Sequence, residues 1–89
     1  MFRMMDTDEP SAVDLFCDTS VMKYLIDNFG KDVDTEVVNE EHFVAHIRVC
    51  TSPTFYRWTF GFTGEIWILG PELVLNEYKE MLKTAMETC

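Results

Sequence analysis

Ser52 to Pro71 reads S-P-T-F-Y-R-W-T-F-G-F-T-G-E-I-W-I-L-G-P, and these twenty residues, with six aromatics, three glycines and two prolines, decide how the chain folds. Ser52 followed by Pro53 is a helix start, the serine as cap and the proline in the first turn, where its missing N–H costs nothing. The spacing predicts a helix to about Phe60 that turns Phe55, Trp58 and Phe62 inward and Tyr56, Arg57 and Phe60 outward. The two glycines of G-F-T-G permit a tight turn into a strand, Glu65 to Leu69. Gly70-Pro71 breaks that strand and opens a last helix with the apolar stripe Val74, Tyr78, Met81, Leu82 and Ala85. Trp67 alternates with Ile66 and Ile68, so it points to the opposite face of its strand.

Upstream, Ala12 to Asp18 places Val13, Leu15 and Cys17 on one face, the period-two pattern of a half-buried strand, with Phe16 out of pattern on the other. Thr19 or Ser20 caps a helix whose apolar positions are Val21, Met22, Leu25, Ile26 and Phe29, and Gly30 stops it. Val33 to Val38 reads as a second strand, with Val33, Thr35 and Val37 facing one way. Asn39-Glu40-Glu41 turns it into His42 to Cys50, a third strand with Phe43, Ala45, Ile47 and Val49 on one face and His42, Val44, His46, Arg48 and Cys50 on the other.

The order strand, helix, strand, strand, helix, strand predicts an α+β fold of ferredoxin-like, split βαβ type. It implies a four-stranded antiparallel sheet with one added C-terminal helix. Eighty-nine residues allow one such domain, residues 12–89, preceded by a polar segment, residues 1–11, that reads as a linker. One sheet face is expected under the helices and the other free to be solvated or to serve as an interface.

The net charge of −9 opposes binding of nucleic acid, which is held by basic residues that displace counterions from phosphates. The charge is uneven. Residues 1–41 carry eleven acids and three bases, and residues 42–89 carry five acids and four bases. Any anion-binding surface therefore belongs to the second half. Cys17, Cys50 and Cys89 are widely spaced and form no C-x-x-C pair, which points to reduced thiols rather than a disulfide framework or a zinc site. No apolar run approaches the roughly 18 residues of a membrane span, and no signal-peptide pattern opens the chain, so a cytoplasmic location is expected.

His42 and His46 beside Glu40 and Glu41 suggest a metal site only superficially. On a strand four residues span about 13 Å, too far for two imidazoles to share one ion. No nucleophile motif or phosphate-binding loop is present, so neither a cofactor, a metal nor a catalytic residue is expected. A pocket gathering Arg48, His46 and a carboxylate would be the observation favouring an enzyme. Arginine beside aromatics suits an effector or a protein partner, which singles out Arg48, Arg57, Tyr56 and Phe60 as contact residues. Trp67 and Phe16, both out of pattern on the face that the helices leave uncovered, are the candidate interface residues, the alternative being that they pack under the N-terminal segment.

Val13 to Cys17, Tyr24 to Gly30, Ser52 to Phe62, Ile66 to Glu72 and the closing helix together resemble the C-terminal extension of WYL-domain transcription regulators of bacteria. The resemblance implies a parent protein with a DNA-binding head and a WYL domain, in which this module contributes to dimerisation and effector sensing. DNA binding is implied for that parent alone, since no helix-turn-helix and none of the WYL basic residues lie in this chain. The partners expected are a second copy or the WYL domain of the parent. The alternative is a free-standing ferredoxin-like domain that binds a small ligand or a protein.

Overall fold

The computed structural model describes residues 10–88. The apolar opening Met1, Phe2, Met4 and Met5, most of the segment read as a linker, and Cys89 lie outside the described residues. Strand β1 (Ser11–Asp18) leads through a single 3-10 turn, Thr19–Val21, into helix α1 (Met22–Phe29). Strands β2 (Asp34–Val37) and β3 (His42–Val49), helix α2 (Pro53–Phe60), strand β4 (Ile66–Gly70) and helix α3 (Glu72–Glu87) follow. The four strands form one sheet in the order β2-β3-β1-β4, and every neighbouring pair is antiparallel. Among the described residues no helix is long and apolar enough to cross a membrane.

Alternation fixes the sheet. Val13, Leu15 and Cys17 of β1 stand opposite Ile47, Ala45 and Phe43 of β3, and Leu15 and Cys17 stand opposite Ile68 and Ile66 of β4. All eight are buried on one face. Val21 and Leu25 from the first helical segment, Phe55, Tyr56 and Thr59 from α2 and Val74 from α3 complete the core. Burial holds the Cys17 thiol up at about 12, so it stays protonated and unreactive.

Four local expectations are corrected. The cap of the first helical segment is Asp18, whose carboxylate accepts from the Ser20 N–H at 3.3 Å and from the Ser20 hydroxyl; the strand runs up to the cap itself. Ser52 makes no side-chain cap bond, although Pro53 does open α2. Val37 faces the helix side, opposite Phe43, but is 85% exposed, because β2 is a sheet edge and no described residue covers this end of it. In α3, Ala85 is exposed, whereas Leu75, absent from the expected stripe, packs with Tyr78 and Met81 against the core.

Tyr56, expected to face outward, is only 6% exposed. Its neighbour α3 is the reason. The Tyr56 ring stacks on Tyr78 with centroids 5.6 Å apart, and its hydroxyl donates to Glu77 at 2.8 Å. Burial, reinforced by the Glu77 carboxylate, pushes the phenol up to about 12. This bond ties α3 to α2, so Tyr56→Phe is expected to cost about 1 kcal/mol of stability, read from the denaturation midpoint. No change in the midpoint would mean that apolar packing seats α3 without help from this bond.

Two turns require glycine. Gly30 (φ 94°) closes α1 with its N–H on the Ile26 carbonyl, and Gly64 (φ 87°) turns the chain into β4, both in a region that side-chain-bearing residues avoid.

Candidate functional site

The face of the sheet turned away from this core presents Ala12, Asp14 and Phe16 of β1, His42, Val44, His46 and Arg48 of β3, Asp34 and Glu36 of β2, and Trp67 and Leu69 of β4. None of them is buried. Strand alternation puts them there, since each neighbours in sequence a residue turned to the helix side.

At one end Phe16 stacks on His42, with centroids 4.9 Å apart and planes 23° from parallel, and meets Trp67 edge-on at 5.5 Å. The register explains the cluster, because Phe16 stands directly opposite Trp67 on β4 and diagonally from His42 on β3. Trp67 remains 45% exposed and Leu69 beyond it 51%. The two residues that the sequence set apart as out of pattern therefore touch, and a third ring, His42, joins them.

Beside that cluster His46 lies between two carboxylates. Its Nδ1 is 2.6 Å from Asp14 Oδ1 and its Nε2 is 2.6 Å from Glu36 Oε1. Both nitrogens donate only in the imidazolium form. Hydrogen bonding to Glu36 first, then to Asp14, accordingly raises His46 to about 9. The bridge joins β1, β3 and β2 across the sheet. Because the folded value lies above the unfolded one, its contribution is complete below about pH 6.5 and is lost as pH rises through about 9. Proton NMR is expected to follow His46 titrating near 9, and Glu36→Gln should lower that value. A His46 that titrates like a free imidazole would remove the bridge from solution.

The same geometry bears on metal binding. The two His46 nitrogens point to different carboxylates on opposite sides of the ring, and His42 is engaged with Phe16 and, through Nδ1, with Asn39 at 3.2 Å. Among the described residues no group of three histidines, cysteines or carboxylates is arranged to hold an ion.

The residues singled out as effector contacts are not brought together. Arg48 stands at the far end of the open face and donates from a terminal guanidinium nitrogen to the Pro10 carbonyl at 3.1 Å. Arg57 is exposed on α2, on the helix side of the sheet, and Tyr56 is buried beside it. Phe60, 52% exposed, instead meets Trp67 across a groove of about 260 Å³ between the end of α2, the edge strand β4 and α3, floored by Ile66, Leu75 and Tyr78. A second cleft, of about 320 Å³, does gather Arg48 and His46 with Asp32 and Asp34. Its imidazole is held at both nitrogens, and no serine, threonine or cysteine lines it. Asp32 and Asp34 are the carboxylates it offers beside Arg48, so the cleft does hold the combination that would favour an enzyme.

The His46 bridge was not anticipated from sequence. Alternation sets Asp14 and His46 on one face, but only the strand order and register bring Asp14 and Glu36 to either side of the ring. Comparison of the chain with protein-family models, with curated proteins and with solved structures finds no match in any of the three.

Proposed function

We propose that this chain is a non-catalytic docking module, the C-terminal extension of a WYL-type bacterial transcriptional regulator. In this reading it works through the open face of its sheet. The strand order β2-β3-β1-β4, with helices joining β1 to β2 and β3 to β4, supports a ferredoxin-like fold to which α3 is added.

The observation that carries the functional reading is the Phe16–His42–Trp67 cluster. It is a contiguous aromatic surface on a face that no described element buries, and aromatic residues of this kind anchor protein interfaces. Seated on a second copy or on the rest of the regulator, the face contributes to assembly and passes effector occupancy on to the DNA-binding head. Arg48 and Phe60 lie on or beside this surface and are the effector or partner contacts it favours, and Arg57 offers a separate exposed cation on α2. The module works in the cytoplasm and needs no cofactor.

A second reading, a free-standing domain that binds a small apolar ligand, draws on the groove between Phe60, Trp67 and Tyr78. The two are separated by the full protein encoded by the gene that carries this chain. Light scattering is expected to find it assembled, and Trp67→Glu is expected to lower its mass while lowering the melting point of the module by only a few degrees. A mass indifferent to that substitution would remove the face from assembly.

A further inference from the structure

The aromatic end of the open face is also where acidic residues collect. Asp18 is the register partner of His42, Glu40 and Glu41 lead into His42, and Glu65 lies two residues before Trp67. Backbone bonds hold these segments together. The Asp18 N–H donates to the Glu65 carbonyl and the Thr19 N–H to the Glu41 carbonyl, each at 2.8 Å, and the Glu65 carboxylate lies 3.5 Å from the Ser20 hydroxyl. No lysine or arginine occurs in residues 11–22, 32–47 or 58–71, the stretches that build this end. Arg48 is at the opposite end of β3 on the Pro10 carbonyl, and Lys79 of α3 lines the adjoining groove beyond Trp67.

That distribution discriminates among occupants. A second copy would bring an identical acidic rim, on a chain of net charge −9, against the first, and nucleic acid would bring phosphates against it. A cationic polypeptide meets both features at once. Arginine planes and lysine stems lie on aromatic rings, and their charges pair with carboxylates at the rim.

We propose that the Phe16–His42–Trp67 end of the sheet docks a basic polypeptide segment, with Asp18, Glu40, Glu41 and Glu65 receiving its arginine or lysine charges. This rests on the reading of the open face as a docking surface and adds the chemistry of the partner.

The test uses the whole chain, labelled with ¹⁵N, titrated with a capped octa-arginine peptide and with octaglutamate as control. Octa-arginine is expected to shift the amide signals of Phe16, His42 and Trp67 and of the acidic rim, and octaglutamate to shift none. Trp67→Ala and the double variant Glu40→Gln, Glu41→Gln are each expected to weaken binding by roughly tenfold or more. Shifts spread equally over Asp27, Asp32 and α3, or binding indifferent to Trp67→Ala, would reduce the effect to diffuse charge attraction and overturn the proposal. Absence of octa-arginine binding, with a Trp67-dependent self-association of the chain, would overturn the basic partner while keeping the docking face. Absence of both would remove the face and the partner together.

Discussion

Leu15→Ala is expected to lower the stability of the chain by about 3 kcal/mol, within the range of roughly 2–5 kcal/mol seen for buried leucines. Leu15 is fully buried at the middle of β1, an interior strand that pairs with both β3 and β4. Its register partner on β3 is Ala45, too small to move into the space left behind, and on β4 it faces Ile68, whose β-branched side chain is stiff. A domain of this size has about 5–10 kcal/mol in all, so the substitution should remove a large share of it. Val37→Ala, at a position 85% exposed, should stay within about 0.5 kcal/mol of wild type. Chemical denaturation of the two variants measures the contrast. A Leu15→Ala midpoint close to that of Val37→Ala would contradict the packing of the sheet against its helices.

Trp67→Glu is expected to have the opposite profile, a large loss of docking with little loss of stability. A tryptophan at the centre of an interface carries about 2–4 kcal/mol, which corresponds to roughly a 30-fold to 1000-fold change in affinity. Replacing it by a carboxylate removes the anchor and leaves a desolvated charge in the contact. In the chain alone, Trp67 touches Phe16 edge-on and borders the groove under Phe60, while the core on the far side of the sheet is untouched. The thermal midpoint should therefore fall by only a few degrees, as for a partly exposed site. The association constant of the full protein, measured beside its melting curve, separates the two effects. A variant that melts far below wild type would place Trp67 among the residues that hold the fold.

The sequence read well where local periodicity and burial coincide. In β1, β3 and β4 every second residue faces the helices, so Val13, Leu15, Cys17, Phe43, Ala45, Ile47, Ile66 and Ile68 could be named before any contact was known. Pro53 and Gly30 marked helix limits because their backbone chemistry is the same in any fold. The misses share a different cause. Tyr56 is buried by α3, an element about twenty residues downstream whose docking side no local pattern states. Val37 has the alternation of a covered strand but sits where the cover ends. D-T-S at Asp18 to Ser20 offers three capping side chains in a row, and the choice of Asp18 follows from where β1 leaves the sheet.

The candidate face divides in the same way. Phe16 and Trp67 stood out because each puts a large ring on a side that the pattern leaves for polar residues, and such a departure is visible one strand at a time. Their contact and the addition of His42 depend on strand order. The His46 bridge depends on it more strongly, since Asp14 and Glu36 reach the ring from two different strands. Histidine spacing alone grouped His46 with His42, Glu40 and Glu41 instead.

The claim that the aromatic face is occupied in the working protein is tested most directly by the solvent accessibility of Trp67. In a Trp58→Phe background Trp67 is the single tryptophan of this chain, and the same substitution in the full protein, with any tryptophan outside this chain also replaced, makes acrylamide quenching report on that site alone. Free quenching is expected in the isolated chain, where the ring is 45% exposed, and clear protection in the full protein. Equal quenching in the two would contradict it, because a docking face that stays open to acrylamide in the assembled protein docks nothing.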